Sequence, residues 1–470
     1  MALAAAIAGG GLPLAAVADC PPAPVRLLVA DPAADDQLGR NVALDGDLAV
    51  VGARLDDDNG VDSGSVYVFR RQAAGTWTQE AKLLASDGQA GDRFGSAVAV
   101  SGDFALVGAP WDDDRGLDAG AAYLFFRDSQ GGWTQVAKLL ADDGQAADSF
   151  GAAVDVDGDA AVVGALLEDE RGLNAGAAYV FRRSNDGTWT QEQKLLAGDG
   201  AATDFFGAAV AISGDRAAIG AYQDDDTGAD SGAAYVFFRD AGGTWIEDAK
   251  LIASDGEAGD YFGESVDVAG GTLVAGARHD APHGAGSGSA YVFQRDAAGW
   301  SQAAKLVPND GAAGNEFGYG VAVAGSMVIA GARKDNDLGS QSGSAYVFAP
   351  DAAGSWTQRA KLYGSDEAAG DNFGGSVAMD GSRAVVGSYA KDDPANNAGA
   401  AYALELACLL PCPGDLDASG RVDLADLSAL LTNFGGASGA DPGDGDLDGD
   451  GDVDLADLSG LLTVFGSSCD

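Results

Sequence analysis

Two stretches near the C-terminus carry carboxylates at the spacing a hard divalent cation requires. In the first, Asp415, Asp417, Ser419, Asp423 and Asp426 fall at positions 1, 3, 5, 9 and 12 of a twelve-residue loop, with Gly420 at the turn and the carbonyl of Arg421 at position 7. In the second, 31 residues on, the same places hold Asp446, Asp448, Asp450, Asp454 and Asp457, with Gly451 and the carbonyl of Asp452. Oxygen donors in this order suit Ca2+, so two calcium sites are expected, each followed by a short apolar helix, Leu424–Asn433 and Leu455–Val464. A second group of acids recurs earlier in the chain, as Asp56-Asp57-Asp58, Asp112-Asp113-Asp114, Glu168-Asp169-Glu170 and Asp224-Asp225-Asp226, with a further Asp at Asp62, Asp118 and Asp230. The alternating members Asp56, Asp58, Asp62, Asp112, Asp114, Asp118, Asp224, Asp226 and Asp230 are candidate ligands for more calcium. A solvated acidic surface explains them equally well, and the sequence leaves both readings open.

The elements that would position these loops come from a repeat. A Phe-Gly pair recurs at Phe94, Phe150, Phe206, Phe262, Phe317 and Phe373, after a variant first copy at Leu38-Gly39, with spacings of 55 or 56 residues. A Gly-Ala step (Gly-Ser in the last copy) recurs at Gly52, Gly108, Gly164, Gly220, Gly276, Gly331 and Gly387, and a Tyr at Tyr67, Tyr123, Tyr179, Tyr235, Tyr291, Tyr346 and Tyr402. Each copy reads as four strands without helical periodicity: A (Ser96–Val100), B (Phe104–Ala109), C (Ala121–Phe126) and D (Trp133–Ala141) in the second. Seven such units predict an all-β seven-bladed β-propeller. The last copy runs out at Leu406 before its strand D, while Arg26-Leu27-Leu28 aligns with Lys82-Leu83-Leu84 of a strand D. The N-terminal segment is therefore expected to close the seventh blade and remove its open edge. Up-and-down order puts the B–C and D–A loops at one end of every blade, which makes one face acidic.

The pattern "FG…VGA" in nearly every copy resembles the FG-GAP repeat family, whose propellers also form integrin α-subunit heads. The resemblance spans Arg26–Leu406 and implies ligand binding or adhesion. Integrin calcium loops lie between strands A and B, where this chain has only a tight hairpin, so those positions do not transfer. The two C-terminal loops are EF-hand-like, and with one helix per loop and Asp at position 12 they resemble a type I dockerin, a duplicated module that docks into cohesin domains. That resemblance implies Ca2+ as cofactor and a cohesin-like or other extracellular protein as partner. Here, however, both copies carry Leu-Ala at positions 10 and 11 (Leu424-Ala425 and Leu455-Ala456) in place of the Ser-Thr often found there. The expected organisation is a signal peptide over 1–18, the propeller over 19–406, a linker over 407–413 and the dockerin-like module over 414–470.

Composition narrows the function. Lys and Arg number 27 against 72 Asp and Glu, a net charge of −45, which excludes a nucleic-acid binder and argues against docking on an anionic membrane. No stretch beyond the N-terminal run has the length of a membrane span, so no membrane insertion is expected. The run ending Ala16-Val17-Ala18 reads as a signal-peptidase site, which predicts a secreted, extracellular or cell-surface protein. Four cysteines then predict disulfides. Repeat register brings Cys20 and Cys408 to one hairpin turn, leaving Cys412–Cys469 to bracket the C-terminal module, with a local Cys408–Cys412 bridge as the alternative. No catalytic set emerges. His279 and His283 are the only histidines, and Gly339–Gly343 is a glycine-serine loop with no following helix. A non-enzymatic binding or scaffold protein with a glycan or surface ligand is expected. The competing readings are a glycoside hydrolase or related component of a polysaccharide-degrading assembly, and a purely structural surface protein.

Overall fold

The computed structural model describes residues 21, 23–351, 354–406, 409, 422, 424–434, 453 and 455–465. The proposed signal peptide, all four cysteines and the calcium-loop residues Asp415, Asp417, Ser419, Arg421, Asp423, Asp446, Asp448, Asp450, Asp452 and Asp454 lie outside the described residues. Two units are distinguished, one of them Ala23–Leu406 and the other holding the C-terminal helices.

The first unit is seven four-stranded antiparallel sheets. Blade one comprises strand A (Leu38–Asp45), B (Leu48–Ala53), C (Ser65–Arg71) and D (Trp77–Leu83), and the following five blades repeat that order. The seventh holds A (Ser376–Asp380), B (Arg383–Ser388) and C (Ala400–Glu405), and its fourth strand is Val25–Leu27, paired antiparallel with strand C through Arg26↔Tyr402. Closure by the N-terminal strand thus follows the register expected from the repeat. Strand D is shorter than expected, ending in the second blade at Leu139. Beyond it the loop backbone is held by the next blade's strand D, as where the Asp142 N–H donates to Gln191 Oε1 at 3.0 Å.

The motif residues explain themselves at the blade interfaces. Phe94 is fully buried and meets Tyr123 and Phe125 edge-on, with centroids 5.5 and 5.9 Å away, and Phe150, Phe206 and Phe262 repeat the arrangement one blade further on each time. Such pairs add roughly 0.5–1.5 kcal/mol each beyond the area they bury. Gly95 follows at φ +90°, a conformation that favours glycine, and a Cβ on Gly52 would collide with its carbonyl. The same collision joins Gly108 to Gly151 and, across the closure, Gly387 to Gly39. The two glycines of the motif therefore mark one point where neighbouring blades touch backbone to backbone. The seven strands A wall a central channel of about 660 Å³.

In the second unit, α1 (Leu424–Asn433) and α2 (Leu455–Val464) share a small core of Val422, Leu430, Val453 and Leu461. No helix among the described residues is long and apolar enough to cross a membrane.

Candidate functional site

In each of the first six blades the penultimate residue of strand D is a lysine whose ammonium reaches the acidic loops. Lys138 Nζ lies 2.8 Å from Asp112 and 2.6 Å from Asp114 of the B–C loop, and 2.9 Å from Asp87 of the preceding D–A loop. Lys82 holds Asp31, Asp56 and Asp58 in the same way, and Lys250 holds Asp199, Asp224 and Asp226. Lys194 and Lys361 do likewise in blades three and six. In blade five Pro282 replaces the third carboxylate, and Lys305 keeps Asp255 and Asp280 alone. The strand C tyrosine completes the cluster: Tyr123 donates its hydroxyl to Asp112 Oδ2 at 2.7 Å.

Burial makes these contacts strong. Asp56, Asp112, Glu168 and Asp224 are each only 3% exposed. Burial by itself would lower the Lys138 ammonium, but hydrogen bonds to Asp112, Asp114 and Asp87 outweigh it and raise the group above the ordinary lysine range. Burial pushes the Tyr123 phenol up, and Asp112 and Asp87 beside it push further. A neighbouring carboxylate has no lysine of its own: Asp92, 5% exposed, accepts the Gln89 N–H at 2.7 Å and is raised to about 6 by burial and then by Asp112. Asp36 and Asp204 sit equivalently and are also raised to about 6.

Of the candidate calcium ligands, the structure brings together the first and third residues of each acidic run: Asp56 with Asp58, Asp112 with Asp114, and Asp224 with Asp226. Asp62, Asp118 and Asp230 are not part of these clusters. They are half-buried, at φ of +53 to +55°, and their N–H groups bond Asp57, Asp113 and Asp225. Their residue type suits the left-handed turn. Two clusters, Asp143/Glu168/Glu170 and Asp310/Asp335/Asp337, bring carboxylate oxygens within 4.8 Å of one another and could hold a metal ion. In both, a lysine ammonium touches all three carboxylates. Sequence reading missed this cation, although it recurs at the blade period as the Lys of Lys82-Leu83 and its equivalents.

His279 lies against Tyr261, with rings 4.6 Å apart, and burial followed by Arg278 lowers its pKa. The described part of the C-terminal unit places the two position-12 carboxylates, Asp426 and Asp457, in the first turns of α1 and α2, at 0% and 1% exposure.

Seven sheets around a channel, tied at one face by ion-paired loops, define a repeat-built propeller, a fold consistent with a binding or scaffold role. The chain belongs to the FG-GAP repeat family, which it matches seven times, over residues 24–69, 77–125, 133–181, 189–237, 245–293, 300–348 and 356–404. No curated protein matches it. Among solved structures it is similar to the crystal structure of a protein from Lactobacillus plantarum, at 17% identity over 74% of this chain and 90% of that one, with a TM-score of 0.48.

Proposed function

We propose that this is a secreted, non-enzymatic binding and scaffold protein whose propeller presents a ligand face and whose C-terminal calcium loops form a dockerin-like plug for a cohesin-like partner. The observation that carries the docking role is the duplicated exposure of large apolar residues on the two helices and just past their C-terminal ends. Leu424 and Leu455 are 73% and 71% exposed, and Leu431 with Leu462 and Phe434 with Phe465 repeat the match. Such side chains at equivalent places in both copies suit a partner surface that can be met in either of two related ways. The buried position-12 carboxylates, beside the alternating acids of both loops, support calcium as the ion that orders the plug. In the propeller, the lysines supply the counter-charge that calcium would otherwise bring, so the calcium of this protein belongs to the C-terminal loops.

Calorimetric titration with Ca2+ tests the reading on the full chain and on an Asp415→Ala/Asp446→Ala variant. Two ions per chain, both lost in the variant, are expected. No calcium uptake by the parent chain would overturn the plug, and sites surviving in the variant would assign calcium to the propeller loops.

A further inference from the structure

Around the channel, at the end where the B–C and D–A loops lie, the repeat breaks down. The residue after the Gly-Ala step is Arg54, Pro110, Leu166, Tyr222, Arg278, Arg333 and Tyr389 in successive blades, although the backbone there is the same in all seven. Positions that vary on an invariant frame are where a repeat protein differentiates its surface.

Five arginines gather at this mouth. Arg278 Nε lies 2.7 Å from Glu264, and Arg333 Nε lies 2.6 Å from Glu316, which Lys334 shares at 2.7 Å. The other three, Arg40, Arg54 and Arg93, form no ion pair among the described residues. Arg40 donates to the Tyr319 hydroxyl at 3.1 Å and lies over the Tyr389 ring. Arg54 donates only its Nε, to Gln37 Oε1 at 2.9 Å. Arg93 stacks 3.3 Å over Trp111, and its buried Nε finds no hydrogen-bond partner. All three are half-buried, and all three line the channel together with Trp111. They are close enough to disturb one another: Arg54 is lowered to about 10 by burial and then by Arg40 and Arg93.

Three guanidiniums side by side without an ion pair oppose folding through mutual repulsion and desolvation, and carboxylates reach them only at longer range, Asp62 and Asp118 acting on Arg93 and Glu264 on Arg40. Their isolation is notable in a chain with 72 Asp and Glu, where each lysine of strand D pairs with two or three carboxylates. Planar guanidinium forks are the groups that grip carboxylate, sulfate or phosphate oxygens in pairs. We propose that the channel mouth formed by Arg40, Arg54 and Arg93 is a binding site for the oxyanion group of a small acidic ligand, with Trp111, 40% exposed, beside it to receive the body that carries the charge. The acidic loops around it turn large polyanions away, so the ligand is a single compact anion that enters the channel.

This site rests on reading the propeller as a binding module, but not on the calcium loops. The test is titration calorimetry of the full chain at low ionic strength with three probes: sodium sulfate, sodium glucuronate and glucose. Sulfate, glucuronate or both should bind one per chain, glucose should not, and Arg54→Gln should weaken the anion at least tenfold. Arg93→Gln is the second variant should the first fail to fold, and Arg295→Gln on the outer rim should leave affinity unchanged. Glucuronate binding more tightly than sulfate would assign the natural ligand to acidic sugars, and equal affinity would assign it to free oxyanions. No binding by either anion, equal binding of glucose, or affinity unchanged in both mouth variants would overturn the proposal. A failed anion titration beside intact calcium uptake would remove this site alone, and the reverse would remove the plug alone.

Discussion

Six blades neutralise their acidic loops in one way and the seventh in another. In blade two the sequence runs Asp112 in the B–C loop, Asp114 beside it and Lys138 on the blade's own strand D. In blade seven the place of Asp112 is taken by Lys391, the place of Asp114 by Asp393, and the cation on strand D is Arg26, contributed by the other end of the chain. Arg26 Nη1 bridges Asp366 at 2.9 Å and Asp393 at 2.7 Å, while Lys391 turns inward to Asp371 at 2.9 Å. A three-residue strand offers few ladder bonds, and a planar arginine fork adds directional contacts that a lysine ammonium cannot. The difference teaches that the acid layer is a fastening of blades, and that it is reinforced where the chain must close on itself.

The largest effect should come from removing the closure. Deleting Ala23–Leu27 exposes the edge of strand C in blade seven and strips Leu27, 2% exposed, from the core it shares with Val51 and Tyr67. Thermal unfolding followed by circular dichroism should show the transition lowered by well over 10 °C or lost to aggregation, since unpaired edges template association. An unchanged transition would mean that the seventh blade is not held by this strand.

Breaking one clamp is next. Lys138→Met leaves Asp112 buried without its cation, whereas Asp371→Asn takes from Lys391, 3% exposed, only its nearest carboxylate and leaves it the Asp366 carbonyl at 2.6 Å and the Asp366 carboxylate at 3.8 Å. The first should cost about 3–5 kcal/mol in denaturant unfolding, the range for orphaning one member of a buried pair, and the second less, because Lys391 keeps Asp366. The two should then diverge on adding millimolar Ca2+. With the C-terminal loops disabled by Asp415→Ala/Asp446→Ala in every chain compared, it should restore stability to Lys138→Met, where three carboxylates have lost their shared cation, and should do nothing for Asp371→Asn or the otherwise parental chain. Stabilisation of the parent by Ca2+, persisting when the C-terminal loops are disabled, would show that lysine is not the resident cation.

Legibility followed periodicity. The blades, their number and the closing strand could be read because Phe94, Gly108, Tyr123 and their equivalents recur every 55 or 56 residues, and each is fixed by a contact between neighbouring blades. The lysine clamp recurs just as faithfully, yet its meaning lies in partners 24, 26 and 51 residues away, which only the folded up-and-down order brings together. Asp62, Asp118 and Asp230 misled for a related reason: aspartate is chosen there for a left-handed turn, which in sequence looks the same as a ligand. The channel mouth was invisible for the opposite reason. Arg40, Arg54 and Arg93 occupy positions that change from blade to blade, and comparing repeats discards whatever does not repeat.

The smallest effect concerns one position at which the two kinds of blade should respond with opposite sign. Asp92 and Asp371 both lie two residues before the Phe-Gly pair. Asp371 faces Lys391, whereas Asp92 has the Asp112 carboxylate beside it and is raised to about 6 from the ordinary 3.8. A carboxyl that binds its proton more tightly when folded costs nothing well below pH 3.8, where both states are protonated. It loses stability as pH rises through 6, because the unfolded chain releases the proton first. Asp92→Asn should therefore stabilise the protein at pH 7.5, by on the order of 1 kcal/mol after allowance for solvent screening, and the gain should shrink as pH falls below about 6 and vanish by about pH 3. Blade six already carries that replacement, with Asn315 donating from Nδ2 to Asp335 Oδ2 at 3.2 Å, so the amide fits the frame. Denaturant unfolding of Asp92→Asn across pH 3 to 8 reads the sign directly. A loss of stability at pH 7.5 would mean that Asp92, like Asp371, has a cation to answer it, and the distinction drawn between the blades would fail at that position.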